Sequence, residues 1–375
     1  MKYMGSKRLM LQNGLGETLA ASCVRRKRFV DIFSGSGIVA WHIASRFNIE
    51  TVAVDLQRYS KVLAEAVLSR TITLDCDTLW RQWFSRASSI RAPRHRGRWD
   101  RISKSSIADM RTWAAGHADW PVLSAYGGYY YHPDQALWID RLRMSIPVAE
   151  PARAVALASL ISAGSMVAAS PGHTAQPLRL KRSSKPFITE AWNKNVPTVV
   201  KCALERICAV HALVPGYGVV GDAGEFAREL SSNDLVFLDP PYAGVQYSRF
   251  YHVLETIATG GRVKVEGAGR YPNKELRPQS QFSTKSTSET AMRELLSKIA
   301  ERGAAAVMTF PDAECSNGLS GERVRSLSEQ YFHVDVRHVE SHFSTLGGRK
   351  LPTDKARKRR PRLSVRELIF VLNPK

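Results

Sequence analysis

Residues 29–37 read Phe-Val-Asp-Ile-Phe-Ser-Gly-Ser-Gly, a β-branched and aromatic run that breaks into a Gly-x-Gly turn. The next stretch, Ile-Val-Ala-Trp-His-Ile-Ala-Ser-Arg-Phe, has the apolar spacing of a helix. About twenty residues beyond the first run comes Thr-Val-Ala-Val-Asp-Leu, a second short strand signal with Asp55 at its end. Strand, glycine turn, helix, strand and acid form the opening of a Rossmann-like βαβ unit. The glycines let the backbone turn tightly and approach a ligand. An acid at the end of the second strand can take the two hydroxyls of a ribose. A tight strand-to-helix turn with no ligand has the same local sequence, and it is the pairing with Asp55 that favours a site.

Outward from this unit, strand signals return only late in the chain, at 217–222, 234–242, 304–310, 331–339 and 366–373. Between them, Ser288–Arg302 carries Ala291, Met292, Leu295, Leu296 and Ile299 at helical spacing. The two blocks predict an α/β fold with a seven-stranded sheet, its last two strands an antiparallel hairpin at one edge. From Thr71 to about Val214 the pattern changes to Trp, Arg, Ser and Pro, with helices at Asp134–Arg143 and Glu150–Ala169. Four strands with three helices need only about 90–110 residues, far fewer than separate Asp31 from Asp239. The expectation is therefore one α/β domain, 1–70 and 217–375, interrupted by a mainly helical insertion at 71–216.

The chain has 375 residues, with 54 Lys and Arg against 34 Asp and Glu, a net charge of +20. With 44% apolar and 23% charged residues it reads as globular, which argues against wholesale disorder. The basic start, Met-Lys-Tyr-Met-Gly-Ser-Lys, lacks the apolar stretch of a secretory signal. Ala154–Ser170 is uncharged but rich in Ala, Ser and Gly, and reads as a buried helix rather than a membrane span. A cytoplasmic, nucleoid-associated protein with no membrane partner is expected. The five cysteines form no Cys-x-x-Cys pair, so neither a disulfide framework nor a metal site is expected. Two basic clusters stand out: Arg86, Arg91, Arg94, Arg96, Arg98, Arg101 and Lys104, interleaved with Trp80, Trp83, Phe84 and Trp99, and the run 355–362. A solvated basic loop would look the same singly. Two clusters on this net charge favour a polyanion, and the aromatics favour nucleic acid.

Asp239-Pro240-Pro241-Tyr242 closes the strand Leu-Val-Phe-Leu at the edge where open α/β sheets place ligands. Consecutive prolines cannot extend a ladder, so the turn is rigid and holds the Asp and Tyr side chains in fixed directions. The amine of a nucleobase is a poor nucleophile because its lone pair is conjugated with the ring. A carboxylate and a backbone carbonyl accepting its two N–H groups favour the pyramidal, nucleophilic form, and a tyrosine face can hold the base. A strand terminator with an incidental Asp is the plainer alternative.

Together, Lys-Tyr-Met-Gly-Ser-Lys at 2–7, the glycine loop, Val-Ala-Val-Asp, Gly221-Asp222 and Asp-Pro-Pro-Tyr resemble, in kind and in order, the Dam-like class of AdoMet-dependent adenine-N6 DNA methyltransferases. The resemblance covers about residues 1–70 and 217–375. It implies S-adenosyl-L-methionine (AdoMet) as cofactor, without a metal, and double-stranded DNA as partner, and leaves room for a cognate restriction endonuclease. It also implies AdoMet contacts from Tyr3 and Lys7, and a methionine and ribose pocket shaped by Asp31, Phe33, Ser34, Gly35 and Gly37. Asp55 would hold the ribose hydroxyls, Asp222 would accept from the cofactor adenine, and Asp239, Pro240 and Tyr242 would grip the target amine. Two positions depart from the family: Asp31-Ile32 stands for the usual Glu-Pro, and Tyr-Met-Gly-Ser-Lys for aromatic-Ala-Gly-Gly-Lys.

An amine inside a duplex cannot reach a methyl donor, so the base must be everted. After the Pro-Pro turn, Tyr247 could stack on a base or fill its gap and Arg249 could meet phosphate, while Tyr251, Leu254 and Ile257 also fit the core stripe of a helix. In the polar loop 170–177, Gln176 can read an adenine edge and His173 or Thr174 can contact phosphate or base, although a loop histidine is often merely solvated. Tyr129–Tyr131 could stack on bases or pack inside. Lys358, Arg359 and Arg360 lie between the last two strands, and in related enzymes that loop faces the DNA backbone, where contacts position rather than specify. The alternatives that stay open are an RNA or rRNA adenine methyltransferase, a cytosine-N4 DNA methyltransferase, and a silent DNA-binding scaffold. No cysteine follows a proline, which argues against carbon-5 chemistry.

Overall fold

A computed structural model of the chain describes residues 7–95, 97, 99, 101–342 and 364–375. Tyr3, Lys358, Arg359 and Arg360, with Arg96 and Arg98 of the first basic cluster, lie outside the described residues. The strands are β1 (Arg28–Asp31), β2 (Glu50–Asp55), β3 (Tyr217–Val220), β4 (Asp234–Leu238), the short β5 (Val265–Glu266) and β6 (Tyr271–Pro272), β7 (Ala305–Pro311), β8 (Phe332–His342) and β9 (Ser364–Pro374). Seven of them form one sheet in the order β3-β2-β1-β4-β7-β9-β8. The first five in that order run parallel, whereas β9 is antiparallel to both β7 and β8. This is the expected Rossmann-like α/β sheet with its terminal hairpin at one edge.

The order of the strands makes the site. The chain steps outward from β1 to β2 and β3, then returns to the other side of β1 for β4 and β7. Between β1 and β4 lies the reversal point where doubly wound sheets open a ligand crevice. Register brings the three candidate acids to the same edge. Asp31 pairs with Ala53 and Phe237, so Asp55 and Asp239 each stand two residues further along their chains. The strands read as unbroken apolar runs because both faces are covered. In β4, Val236 and Leu238 join a core with Met292, Leu295 and Leu296 of the helix Ser288–Glu301, while Leu235 and Phe237 face Leu15, Leu19, Val39 and Ile43. The open edge at β8 carries exposed His333, Asp335 and Arg337, charges that discourage pairing with another strand.

The chain forms two compact units. The sheet unit comprises 4–56, 212–247 and 279–375, and the other 57–211 with 248–278. The second unit thus takes in more chain than the expected 71–216. The helix Arg58–Leu68 packs against the helix Ala152–Val167, which is buried on almost every side, as its small apolar sequence predicts. Arg70 staples the same region by donating to the carbonyls of Ala66, Ile72, Ile207 and Val210. Of the aromatic residues interleaved with the first basic cluster, Trp83 and Trp99 are buried, whereas Trp80 and Phe84 are half-buried. Trp83 is fully buried and donates to Leu142 O at 2.9 Å, Phe84 stacks between Trp80 and Trp138, and Trp99 lies in a core with Trp192. The charges of that cluster, Arg86, Arg91, Arg94, Arg101 and Lys104, are exposed. Among the described residues no helix is long and apolar enough to cross a membrane.

Candidate active site

The glycine loop joins β1 to the helix Ile38–Ala44. Gly35 (φ +49°) and Gly37 (φ +72°) adopt left-handed backbone, where a side chain would be strained. Gly37 N–H donates to Ser34 O at 2.7 Å, closing the turn, and Ser34 N–H reaches across to Val54 O at 3.0 Å. The Asp55 carboxylate accepts from Gly35 N–H at 2.9 Å, so the second-strand acid is fastened to the loop. Phe33 packs edge-on to Phe282, ring centres 5.1 Å apart. Asp31 is 1% exposed and its Oδ1 has no hydrogen-bond partner among the described residues. Burial, with the nearby Asp239 and Asp55 charges, pushes its pKa well up. An orphaned acceptor beside left-handed glycines and a fastened acid fits a ligand that brings its own N–H or cationic group. Asp222 is exposed and caps the helix Ala223–Phe226, accepting from Gly224 N–H at 2.8 Å and Glu225 N–H at 3.3 Å.

The Asp-Pro-Pro-Tyr turn leaves β4 at the same edge. Asp239 Oδ1 lies 3.0 Å from Lys7 Nζ and accepts from Thr309 Oγ1 at 3.0 Å. The Lys7 ammonium, 4% exposed, also donates to Glu367 Oε2 at 3.0 Å. Burial works against its charge, but the Asp239 and Glu367 carboxylates outweigh that and raise its pKa, so it stays protonated. Burial raises Asp239, and the Lys7 charge opposes the rise. Tyr242 is pushed up to about 12, chiefly by burial, and stays a neutral phenol.

Beyond the turn the backbone is tied down. The wholly buried Asn317 donates to Pro241 O at 2.9 Å and Phe282 O at 3.1 Å, and no hydrogen bond reaches the Pro240 carbonyl among the described residues. Gly244 N–H donates to Ser316 Oγ at 2.8 Å, and a Cβ at Gly244 would stand 2.7 Å from Ser316 O. Gln246 exchanges two hydrogen bonds with the Ser280 backbone, at 2.9 and 2.7 Å. The sequence reading missed Glu367, Thr309, Asn317 and Gln246. A signal existed for two: Thr309 is a lone polar residue in the apolar run of β7, and Glu367 a lone acid heading that of β9.

The candidate DNA contacts divide. Tyr247 opens the helix Tyr247–Thr259 and is half-buried. Tyr251 is buried against Tyr59, the core role its spacing allowed. His252 is buried among Tyr126, Tyr130 and Tyr271, and burial lowers its pKa to about 4. The Arg249 guanidinium lies 4.7 Å from the centre of the Tyr271 ring. The His173 ring packs 4.8 Å from Phe250, and burial lowers its pKa. Thr174 donates twice to Phe250 O at 2.7 Å, and Tyr130 bridges the carbonyls of Thr174 and Gly269 at 2.6 and 2.8 Å. Tyr271 donates to Ala175 O. The loop 171–177, the β5–β6 hairpin and residues 248–252 are thereby one tied piece that leaves Gln176 exposed. Tyr130 and Tyr131 are core residues, and only Tyr129 is partly accessible, beneath Arg111 and Arg270. Among the described residues no cluster of His, Cys, Asp or Glu could hold a metal ion.

Comparison with known proteins bears on these features. The modification methylase LlaI of Lactococcus lactis subsp. lactis is 24% identical over 315 residues, 73% of this chain and 42% of that protein. The chain therefore spans less than half the length of that relative. Residues 220–306, which run from the end of β3 through β4, the Asp-Pro-Pro-Tyr turn and into β7, match the model of the D12 class N6 adenine-specific DNA methyltransferases. That match lies on the strand and turn that deliver Asp239, so the segment carrying the candidate site is similar to the D12 class N6 adenine-specific DNA methyltransferases.

Proposed function

We propose that the chain transfers a methyl group from S-adenosyl-L-methionine to the N6 amine of an adenine everted from double-stranded DNA at a specific sequence. The observation that carries this reading is the Asp239 carboxylate at the reversal point of the sheet, with Oδ1 held by Lys7 and Thr309 inside the site that the family-matched segment delivers. AdoMet, when bound, supplies an electrophilic methyl group on a sulfonium. Gly35, Gly37, Phe33 and Ser34 would wall its pocket, Asp31 would meet its N–H or cationic group, and Asp55 its ribose. The capping bonds of Asp222 leave it a positional rather than a strongly selective role toward the cofactor adenine.

With Oδ1 occupied by two donors, Asp239 presents Oδ2 to the target amine. One N–H donates there and the other to the Pro240 carbonyl, while Tyr242 lies against the base. Withdrawing the amine lone pair from conjugation makes it a nucleophile. AdoMet, when bound, would supply the methyl group to this lone pair with its thioether leaving, and Asp239 would accept the proton released from the amine and pass it to solvent. Eversion excludes water and aligns the amine for in-line attack.

The 57–211 and 248–278 unit is proposed to meet the DNA. Gln176 and Tyr247 would read or replace bases, Arg249 would meet phosphate, and His173 would brace the loop. Lys358, Arg359 and Arg360 would add phosphate contacts. The relative's name as a modification methylase supports a DNA-modification role, for which a cognate restriction endonuclease is the natural partner. The test is transfer of labelled methyl from AdoMet to unmethylated genomic DNA, followed by nucleoside analysis and methylation-aware sequencing. N6-methyladenine at one short motif is expected. Label on cytosine N4, label confined to RNA, or no label with AdoMet bound would each overturn the reading.

A further inference from the structure

Glu367 enters the site from the far side of the sheet. It sits on β9, paired with Pro311 of β7 and Val339 of β8. Its side chain is 15% exposed, and its Oε2 is 3.0 Å from the same Lys7 nitrogen that stands 3.0 Å from Asp239 Oδ1. One buried ammonium thus bridges two carboxylates carried by different parts of the sheet. A single ion pair of Lys7 with Asp239 would be electrically complete without Glu367. A largely buried second acid, which burial alone would disfavour, calls for a reason.

We propose that Glu367 is a positioning residue for methyl transfer, sharing the Lys7 ammonium so that Lys7 holds Asp239 in place without neutralising it. The inference rests on the methyl transfer to adenine proposed for this site. Two carboxylates around one ammonium leave a net negative charge, and Asp239 keeps the acceptor strength that a conjugated amine demands. Remove Glu367, and Lys7 belongs to Asp239 alone: the carboxylate is more tightly paired and accepts a proton less readily. The groups facing Asp239 support this balance. Lys7 and Thr309 stabilise its charge, whereas burial and Glu367 oppose it, and Tyr242 stays neutral beside them.

The test compares wild type with Glu367→Gln and Glu367→Asp in single-turnover methylation of duplex DNA, across pH, together with AdoMet and DNA binding. Glu367→Gln is expected to slow transfer by roughly tenfold or more while both affinities hold within about twofold. The acid limb of its rate profile should move to lower pH, because Asp239 becomes easier to ionise. Glu367→Asp, which keeps the charge, should restore most of the rate and the wild-type limb. An unchanged rate and limb in the Gln variant would overturn the proposal. So would a slow Gln variant whose acid limb stays put and which Asp fails to rescue, since that marks a structural role. Wild-type protein that methylates no DNA would instead overturn the underlying reaction.

Discussion

A carboxylate that must accept from a weakly nucleophilic amine works only if it is aimed, and Asp239 is aimed through one oxygen. Lys7 and Thr309 both address Oδ1, so the carboxyl plane cannot rotate without breaking two contacts. In the proposed reaction, Asp239→Ala removes the acceptor while leaving the glycine loop and the second unit untouched. Transfer should fall by about 10²–10⁴-fold, with AdoMet and DNA affinities within a few-fold of wild type. Single-turnover rates with parallel binding titrations check this, and retained turnover would sink the role given to Asp239. Lys7, Asp31, Asp55 and Asp239 were legible in the sequence because each belongs to a short motif, three of them at strand ends. Glu367 and Thr309 were not. Thr309 stands out as a lone polar residue and Glu367 as a lone acid in an apolar strand, but they reach the site because β7 lies beside β4 and β9 beside β7, and strand order is not written locally.

Among the elements, the helix Pro121–Tyr126 shows how a buried acid ties stability to pH. Asp140 accepts from Val122 N–H and Leu123 N–H, both at 2.9 Å, and so satisfies the start of that helix. Those donors favour the carboxylate, yet burial outweighs them and lifts its pKa to about 7. The folded state therefore binds this proton more tightly than the unfolded chain, whose carboxyl titrates near the ordinary value of about 4. The contribution of Asp140 is full below about pH 4 and is lost as pH rises toward 7, by at most about 4 kcal/mol. Thermal unfolding should show the midpoint falling as pH rises from about 4 to 7, and Asp140→Asn should flatten that slope while keeping an acceptor at the helix start. A slope unchanged in the Asn variant would assign the pH dependence to other groups. Of the helices in this region, the sequence marked those near 134–143 and 150–169, but not Pro121–Tyr126. Nor was the capping partner marked, because the acid stands on a different helix, Pro133–Met144.

For the whole molecule, charge and chain organisation were legible to different depths. Sheet, hairpin edge and long interruption followed from strand signals and their separation. The limits of the second unit did not, because Arg58–Leu68 joins it by packing on Ala152–Val167, and 248–278 returns to it after the Pro-Pro turn. Of the aromatics interleaved with the first basic cluster, Trp83 and Trp99 are core, while Trp80 and Phe84 stay half-buried beside exposed arginines. The net charge of +20 has a further outlet beyond that cluster. Arg179, Lys181, Arg182 and Lys185 offer one: all four are exposed, none makes an ion pair among the described residues, and no Asp or Glu occurs from Pro171 to Thr189. Nor is the segment a loose tail. Ser184 Oγ accepts from Lys181 N–H at 2.9 Å, and Lys185 N–H closes onto Lys181 O at 2.9 Å, so the cations stand on a folded turn. Cations presented this way meet phosphates and release counterions, which makes binding fall with salt at a slope of about 0.9 per phosphate contacted. Changing all four to Gln should weaken every duplex alike and flatten the plot of log K against log[salt] by up to about 3–4 units, leaving the ratio of specific to non-specific binding unchanged. A loss confined to one DNA sequence would show instead that this turn reads bases, and an unchanged slope would place the phosphate contacts elsewhere on the molecule.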